Sequence, residues 1–250
     1  MGHCGETIQS FLKKGDVSKV LFVPYALKEY EKYFGNPGVI KYDASGQPID
    51  HTGRPKARLQ ELGIKSTSIH HAEDPVAAVK AAKALFIGGG NTFRLFKKLH
   101  EQNLVDLIRE RVTSGNMLYI GSSCGSTAAG ATIHTSICMP IMEVPSFRGL
   151  GLVPFNISPH YADPEPKAKL HELGFTVSME ENREQRIRQY TDELEDALTT
   201  VGIREGTCLE VDGSKATLHG KWPCRVFVPR QEPKDYPPGS NLDFLLSSDA

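Results

Sequence analysis

Short apolar runs that end at glycine, proline or serine, and that alternate with helical segments, constrain this chain more than any other feature. Three of them stand in the first half of the sequence: KVLFVP (residues 19–24), ALFIGGG (84–90) and MLYIGSS (117–123). Runs of this length bounded by turn residues are typical of strands that are buried on both faces. Because strands that alternate with helices require right-handed crossovers, we predict an α/β fold: a three-layer sandwich with a mostly parallel sheet.

The segments between these runs carry helix signals. In DPVAAVKAA, Asp74 is placed to cap a helix and Pro75 to occupy its first position. The longer segment NTFRLFKKLHEQNLVDLIRERVTSG (residues 91–115) has apolar residues at helical spacing, and Gly115 ends it. We predict a helical pattern that runs through each segment.

The C-terminal part of the chain changes character. Four short segments, TTVGI, CLEVDG, KATLHG and CRVFVP, have the composition of strands. Between the second and third of them, the Asp212-Gly213 pair favours a tight hairpin turn. We therefore predict some antiparallel strands near the C-terminus.

The remaining segments suggest no second domain. Residues 35–53 are rich in glycine, proline and polar residues and are predicted to form a surface loop, with a helix following from about Pro55. Residues 230–250 are predicted to form an irregular tail. A chain of 250 residues can bury one large core, and we predict a single domain over residues 1–250.

Composition argues against several function classes. Lys plus Arg number 29 and Asp plus Glu number 30, so the chain lacks the basic excess that nucleic acid or an anionic membrane surface would select. The first residues, MGHCGETIQSFLKKG, lack the apolar core of a signal peptide, and no apolar run approaches the roughly 18 residues that span a bilayer. The five cysteines show no CxxC spacing, so we expect no metal site, no disulfides, no cofactor and a reducing, cytoplasmic location.

The stretch YIGSSCGSTAAG (residues 119–130) contains four candidate nucleophiles: Ser122, Ser123, Cys124 and Ser126. Only Ser123 has glycine two positions away on both sides, at Gly121 and Gly125, which completes the pattern G-x-S-x-G. In this pattern the serine stands on a sharp strand-to-helix turn, and the glycines permit close approach of the backbone. A tight turn without catalytic function produces the same pattern.

A serine nucleophile needs a base and an oxyanion hole. His160 is the candidate base, because it follows the apolar run GLVPF and a proline, where a strand would end at the rim of the sheet. FIGGGNTF (residues 86–93) offers backbone N–H groups at the end of another strand, where open parallel sheets bind ligands. These letters also fit phosphate binding, although they have neither GxGxxG spacing nor a Walker lysine. Which of the 30 carboxylates would orient the histidine stays open.

Several motifs in a fixed order resemble those of peptidase E, the α-aspartyl dipeptidases. They are GGGNTFRL, YIG-x-S-x-G, MPI, SF, GLVPF, PHY, REQRI and REGT, and the resemblance covers roughly Val20 to Phe244. It implies a cytosolic serine hydrolase on an α/β sandwich like that of the class I glutamine amidotransferases. The implied substrate is a small dipeptide with an N-terminal aspartate, and we expect the protein to be a monomer or a homodimer.

The resemblance also assigns catalytic roles. It makes Ser123 the nucleophile, His160 in PHY the general base, and Glu205 in REGT the carboxylate that orients the base. The implied oxyanion hole consists of backbone N–H groups of Gly89, Gly90 and Cys124.

A substrate-binding residue is implied as well. Arg183 in ENREQRI matches the arginine that binds the aspartate side chain of the substrate. A guanidinium suits this role because its planar fork can donate two hydrogen bonds to one carboxylate. The alternative for Arg183 is a solvated charge on a helix face.

The chain departs from the family pattern in several places. Members usually open with a further apolar strand ending in Ser-Asn, so we expect the fold here to lack one strand and to expose an edge. Cys124 stands where the family has an alanine, and Cys138 stands where the family commonly has an acidic residue. The segment between His160 and Arg183 is longer than is usual in the family. Three functions stay open: an active aspartyl dipeptidase, a catalytically impaired homologue that binds acidic ligands or a partner, and a related serine hydrolase with another substrate.

Overall fold

A computed structural model describes residues 4–30, 54–162, 169–170, 175–176 and 183–247. The elements of its first half are α1 (Gly5–Lys14), β1 (Lys19–Val23), α2 (Arg54–Glu61), β2 (Lys65–Ser68), α3 (Pro75–Ala81), β3 (Ala84–Ile87), α4 (Thr92–Glu101), α5 (Val105–Thr113), β4 (Leu118–Gly121) and α6 (Cys124–Ala129). The three apolar runs are confirmed as strands β1, β3 and β4. The loop predicted over residues 35–53 lies outside the described residues, and α2 begins next to the predicted helix start.

The first four strands form one parallel sheet in the order β2-β1-β3-β4. All four residues of β3 are buried, and so is every residue of β1 after Lys19. Alternate residues of β1 enter two different cores: Phe22 packs in one with Leu12 and Leu59, and Leu21 packs in the other with Phe96. Helices therefore cover both faces of this sheet, which confirms the predicted layered α/β fold.

The helix ends follow local capping chemistry. The Asp74 carboxylate accepts hydrogen bonds from the N–H groups of Val76 and Ala77, at 2.9 and 3.0 Å, as the sequence predicts. The helical pattern predicted to run through residues 91–115 is interrupted, because Asn103 takes a left-handed conformation with φ of 55° and separates α4 from α5. Of the helices within the described ranges, none is long and apolar enough to cross a membrane.

The second half of the chain builds a mixed sheet. Its elements are β5 (Asn156–Pro159), β6 (Lys169–Leu170), β7 (Phe175–Thr176), α7 (Arg183–Glu193), β8 (Thr200–Ile203), β9 (Thr207–Asp212), β10 (Lys215–Gly220), β11 (Cys224–Phe227) and β12 (Lys234–Tyr236). The sheet order is β12-β11-β8-β5, with β5 and β8 parallel and the other pairs antiparallel. The antiparallel strands predicted near the C-terminus are thus confirmed.

The sequence also made predictions for the hairpin at Asp212-Gly213 and for the tail over residues 230–250. Strands β9 and β10 pair antiparallel around the predicted turn, where Gly213 has φ of 60°. The tail is less irregular than predicted, because β12 pairs with β11 and a 3-10 helix forms over Asp243–Leu246. Leu245 of this turn is buried in the core formed with the second sheet.

The two sheets approach each other at β4 and β5. Among the described residues β4 pairs with β3 alone and β5 with β8 alone, so each strand ends its sheet. A cavity of about 640 Å³ is lined by residues from both strands, among them Tyr119, Ile120 and Ile157. The cavity extends to Ser123 and His160, which stand just after the carboxyl ends of these strands.

Candidate active site

The turn between β4 and α6 holds Ser123 in a strained backbone conformation. Its φ is 55° and its ψ is −116°, a region that L-residues rarely occupy. A Cβ atom on Gly121 would lie 2.5 Å from the carbonyl oxygen of Gly125, and one on Gly125 would lie 2.1 Å from the carbonyl oxygen of Ile87. Close backbone approach therefore requires both glycines, which is the geometry that the G-x-S-x-G pattern predicts.

Two hydroxyl groups brace this turn. The Tyr119 hydroxyl donates to the carbonyl oxygen of Gly125 at 2.7 Å, and the Ser126 hydroxyl donates to that of Gly121 at 3.1 Å. Burial raises the pKa of Tyr119 above its ordinary value. The phenol therefore keeps its proton and remains a donor at neutral pH.

Ser123 faces a histidine. The distance from Ser123 Oγ to His160 Nε2 is 2.9 Å, and His160 Nδ1 is hydrogen-bonded to Glu205 Oε1. With its proton on Nδ1, the imidazole donates to the carboxylate, and Nε2 can accept the serine hydroxyl. The structure thus brings together the three side chains predicted for nucleophile, base and orienting carboxylate, in the chain order Ser, His, Glu.

The second sheet positions the histidine and the carboxylate. His160 directly follows β5 with φ of 58°, and Glu205 lies two residues after β8; Pro159 and Ile203, which precede them, are paired in register. Both side chains therefore leave the sheet at the same edge. The Glu205 side chain is 73% exposed, so its contact with the histidine contributes little to stability, and its effect is to orient the ring.

The glycine-rich segment after β3 lies against the nucleophile. A Cβ atom on Gly89 would be 3.0 Å from Ser123 Cβ and 3.2 Å from its Oγ. Gly90 has φ of 141°, and a Cβ atom there would lie 2.4 Å from the carbonyl oxygen of Ala26. Cys124 is the first residue of α6, so its N–H has no partner within the helix. Gly89 and Cys124 therefore border Ser123, Gly90 lies against Cys124, and the role of the three N–H groups stays a prediction.

Arg183 begins α7 and reaches back toward the histidine. Its Nη1 donates to the carbonyl oxygen of Pro159 at 3.2 Å, directly before His160, and the residue is partly buried. The guanidinium therefore contacts the backbone directly before His160, and its role in binding substrate stays a prediction. The segment between His160 and Arg183, expected to be long, lies mostly outside the described residues.

Sequence reasoning missed two residues that support the site. The Tyr161 hydroxyl donates to Glu184 Oε2 at 2.9 Å, and the Arg204 guanidinium carbon lies 5.0 Å from the centre of the Tyr161 ring. These residues adjoin His160 and Glu205 respectively in the chain, so their contact couples the positions of the base and of its carboxylate. Their position beside predicted catalytic residues was the available signal.

No group of three or more His, Cys, Asp and Glu side chains within the described ranges is arranged to hold a metal ion. The site instead offers hydroxyl, imidazole and carboxylate groups beside backbone N–H groups at the end of a parallel sheet. Fold and site together define the class: a serine hydrolase of α/β architecture.

The family follows from comparison with known proteins. The model of "Peptidase family S51" matches residues 43–219. A Drosophila melanogaster protein named "Probable alpha-aspartyl dipeptidase" is 36% identical over 244 residues, which cover 98% of this chain and 90% of that protein. A Streptomyces coelicolor protein named "Peptidase E" is 35% identical over 244 residues, which cover 98% of this chain and 88% of that protein. The chain belongs to peptidase family S51.

A solved structure agrees with this fold. A crystal structure of a peptidase from an acI-B1 actinobacterium superposes with a TM-score of 0.61, covering 96% of this chain and 91% of that chain. Its sequence identity is 16%, so this likeness concerns the fold. The resemblance and the fold class inferred from the sequence motifs are thereby confirmed.

Proposed function

We propose that this protein is a serine dipeptidase that hydrolyses dipeptides with an N-terminal aspartate. The observation that carries the proposal is the line of contacts from Ser123 Oγ through the His160 ring to Glu205. Relatives named as α-aspartyl dipeptidase and peptidase E, at 35–36% identity over nearly the full chain, support the substrate class.

In the first step His160 Nε2 takes the hydroxyl proton of Ser123 while the serine oxygen attacks the scissile carbonyl carbon. Glu205 holds the proton on Nδ1, so that the ring accepts at Nε2 and the imidazolium that forms is stabilised. The negative charge that develops on the carbonyl oxygen is stabilised by the backbone N–H groups of Gly89, Gly90 and Cys124.

In the second step the imidazolium donates its proton to the leaving amine, and an acyl-enzyme remains on Ser123. A water molecule then enters, His160 removes a proton from it, and the hydroxide attacks the ester. Collapse of the second tetrahedral intermediate returns the proton to the serine oxygen and releases aspartate.

Arg183 supplies the specificity in this proposal. Its contact with the carbonyl of Pro159 keeps the guanidinium next to the residue that directly precedes the base, His160. A carboxylate on the substrate accepts charge-assisted hydrogen bonds worth roughly 1.5–3 kcal/mol each. Since about 1.4 kcal/mol corresponds to a factor of ten, we expect Asp-Leu to exceed Asn-Leu by at least about a hundredfold in kcat/KM.

The two other functions are less well supported. A catalytically impaired homologue would not need the strained turn, because the conformation of Ser123 costs free energy without a catalytic return. A serine hydrolase with a neutral substrate would leave the Arg183 guanidinium without a carboxylate partner at the site. Both alternatives make definite predictions in the assay that follows.

The decisive assay compares Asp-Leu with Glu-Leu, Asn-Leu and Ala-Leu. Ser123→Ala should lower kcat by at least about 10⁴-fold, whereas Ser122→Ala, its matched neighbour, should remain active. Arg183→Ala should bring the ratio of Asp-Leu to Asn-Leu toward one, and Arg186→Ala, one turn along the same helix, should leave it unchanged. Equal rates with Asp-Leu and Asn-Leu in the wild type would refute the aspartyl specificity, and no hydrolysis of any dipeptide would refute the peptidase.

We also propose a cytoplasmic location, a monomeric or homodimeric state, and a small dipeptide as the physiological ligand, with neither nucleic acid nor a membrane as partner. Free thiols at all five cysteines are compatible with a reducing compartment. Near-equal numbers of acidic and basic residues give the chain no general attraction to polyanions. Size-exclusion chromatography with light scattering distinguishes the two oligomeric states.

A further inference from the structure

Two thiols meet directly beside the nucleophile. Cys124, the residue after Ser123, is buried, and Cys138 is partly buried in the segment between α6 and β5. Their Sγ atoms are 3.9 Å apart, which is close to van der Waals contact. The carbonyl oxygen of Gly90 lies near both sulfurs, 2.5 Å from Cys124 Sγ and 3.3 Å from Cys138 Sγ.

The environment makes Cys138 the more reactive of the two. It receives hydrogen bonds from the Cys124 thiol and from Thr92, whose hydroxyl lies 3.6 Å from its sulfur. These donors, the Cys124 thiol first, lower the pKa of Cys138 below its ordinary value. The same contact, together with burial, raises the pKa of Cys124, so Cys138 is the thiol of the pair that ionises first.

We propose that Cys124 and Cys138 are an oxidative modification site, at which a reversible disulfide forms and switches the hydrolase off. With a hydroperoxide as oxidant, the Cys138 thiolate attacks a peroxide oxygen, the O–O bond breaks, and the hydroxide released becomes water. The Cys124 sulfur then attacks the sulfenic acid, the S–S bond forms, and the hydroxyl leaves as water with the thiol proton. The two thiols lose two electrons and one hydrogen peroxide becomes two water molecules; a dithiol then reduces the disulfide to the two thiols by exchange and is itself oxidised to a disulfide.

The disulfide would deform the site. Its bond length is about 2.05 Å, so the sulfurs must approach by roughly 1.9 Å from their present separation. Oxidation also removes the thiol proton that Cys124 donates to the carbonyl of Gly90, and the movement displaces Cys124, whose N–H is one of the proposed oxyanion donors. A displacement of about 1 Å in such a site can lower activity about a hundredfold, and we expect a loss of at least tenfold in kcat/KM.

A second pair of thiols has to be separated from this one. Cys4 accepts a hydrogen bond from the Cys208 thiol, which lowers the pKa of Cys4 below its ordinary value. Both residues line the cavity that extends from Ser123. Because this pair can also oxidise, a Cys4→Ser variant is the matched control for every measurement on the first pair.

The experiment treats the full chain with a few equivalents of hydrogen peroxide, blocks free thiols with iodoacetamide and maps the peptides by mass spectrometry. We expect a peptide pair linked through Cys124 and Cys138, a parallel fall in Asp-Leu hydrolysis, and recovery of both with dithiothreitol. Cys4→Ser should behave as the wild type. Cys138→Ser should keep its activity under peroxide and form no such link.

Two results would overturn the proposal: peroxide consumed with no link between the two cysteines, or a linked protein that retains full activity. The loss of activity rests on the proposed function, whereas formation of the bond does not. If the reduced protein hydrolyses no dipeptide, the proposed function has failed, and the peptide map still decides whether the thiols pair. Iodoacetamide labelling between pH 4 and 9 adds a readout that is independent of activity, since Cys138 should be half-maximally labelled at a pH below the usual thiol pKa of about 8.5.

Discussion

The glycines of the nucleophile turn permit a sharp test of the site. Gly125 stands in the first turn of α6, where its helical backbone would accept alanine without conformational strain. The obstacle is steric: the added methyl carbon would lie 2.1 Å from the carbonyl oxygen of Ile87, about 0.9 Å short of the shortest distance that such atoms tolerate. Because the neighbouring atoms belong to the backbone of β3, the relief must come from movement of the turn itself.

The size of the effect follows from this geometry. Overpacking of a buried position costs about 1–3 kcal/mol, and the better helix propensity of alanine offsets up to about 1 kcal/mol of it. A net loss of about 1–2 kcal/mol should lower the melting temperature of a chain of this length by about 2–8 °C. A shift of about 1 Å in the turn that carries Ser123 should lower kcat/KM by about a hundredfold. The variant should therefore be folded but nearly inactive.

The assay pairs thermal unfolding with Asp-Leu hydrolysis for Gly125→Ala and for a control, Gly63→Ala. Gly63 has φ of 70° and nothing within 4 Å of the added atom, so alanine there introduces backbone strain without a clash. We expect the control to lose about 1 kcal/mol of stability and to keep its activity. A Gly125→Ala protein within about threefold of wild-type kcat/KM would refute the steric account of the turn.

Three further predictions concern stability and the base. Tyr190→Phe removes the hydroxyl that accepts from Asn156 Nδ2 and from the Leu198 N–H, both at 2.9 Å; the buried donors should cost about 1–3 kcal/mol each in urea unfolding, and an unchanged midpoint would contradict this. Asp74→Ala should cost about 1 kcal/mol through the lost helix cap, whereas Asp74→Asn should nearly preserve the wild-type unfolding curve. Glu205→Gln should lower kcat by at least about tenfold with an unaltered circular dichroism spectrum, and an unchanged kcat would remove Glu205 from the mechanism.

The features that could be predicted from the sequence are those that depend on contacts between residues close together in the chain. The glycines around Ser123 are dictated by backbone contacts within a few residues, and Asp74 caps a helix that starts at the next residue, so both are legible in sequence. The break at Asn103 was missed because α4 and α5 bury their apolar faces in one core, and the helical spacing therefore continues across it. The left-handed asparagine was the signal that marked it.

Contacts that depend on irregular segments were beyond the sequence. Cys138 follows α6 in a stretch without regular helix or strand, and no periodicity connects it with Cys124 fourteen positions earlier. Scattered cysteines therefore suggested five independent thiols. The contact between Tyr161 and Glu184 likewise depends on how α7 returns to the second sheet across residues with no readable pattern.

The positive φ angles of 55° and 58° belong to Ser123 and His160, the residues proposed as nucleophile and base, and they lower the stability of the fold. Residues with a Cβ atom held in such conformations cost of order 1–3 kcal/mol each, and glycine would relieve that cost at either position. Selection for thermal stability alone should therefore favour glycine at these two positions. The resulting protein would be more stable but would lack the nucleophile, the base or both. Variants selected for stability therefore have to be assayed for activity as well, because glycine at position 123 or 160 would stabilise the protein and abolish catalysis.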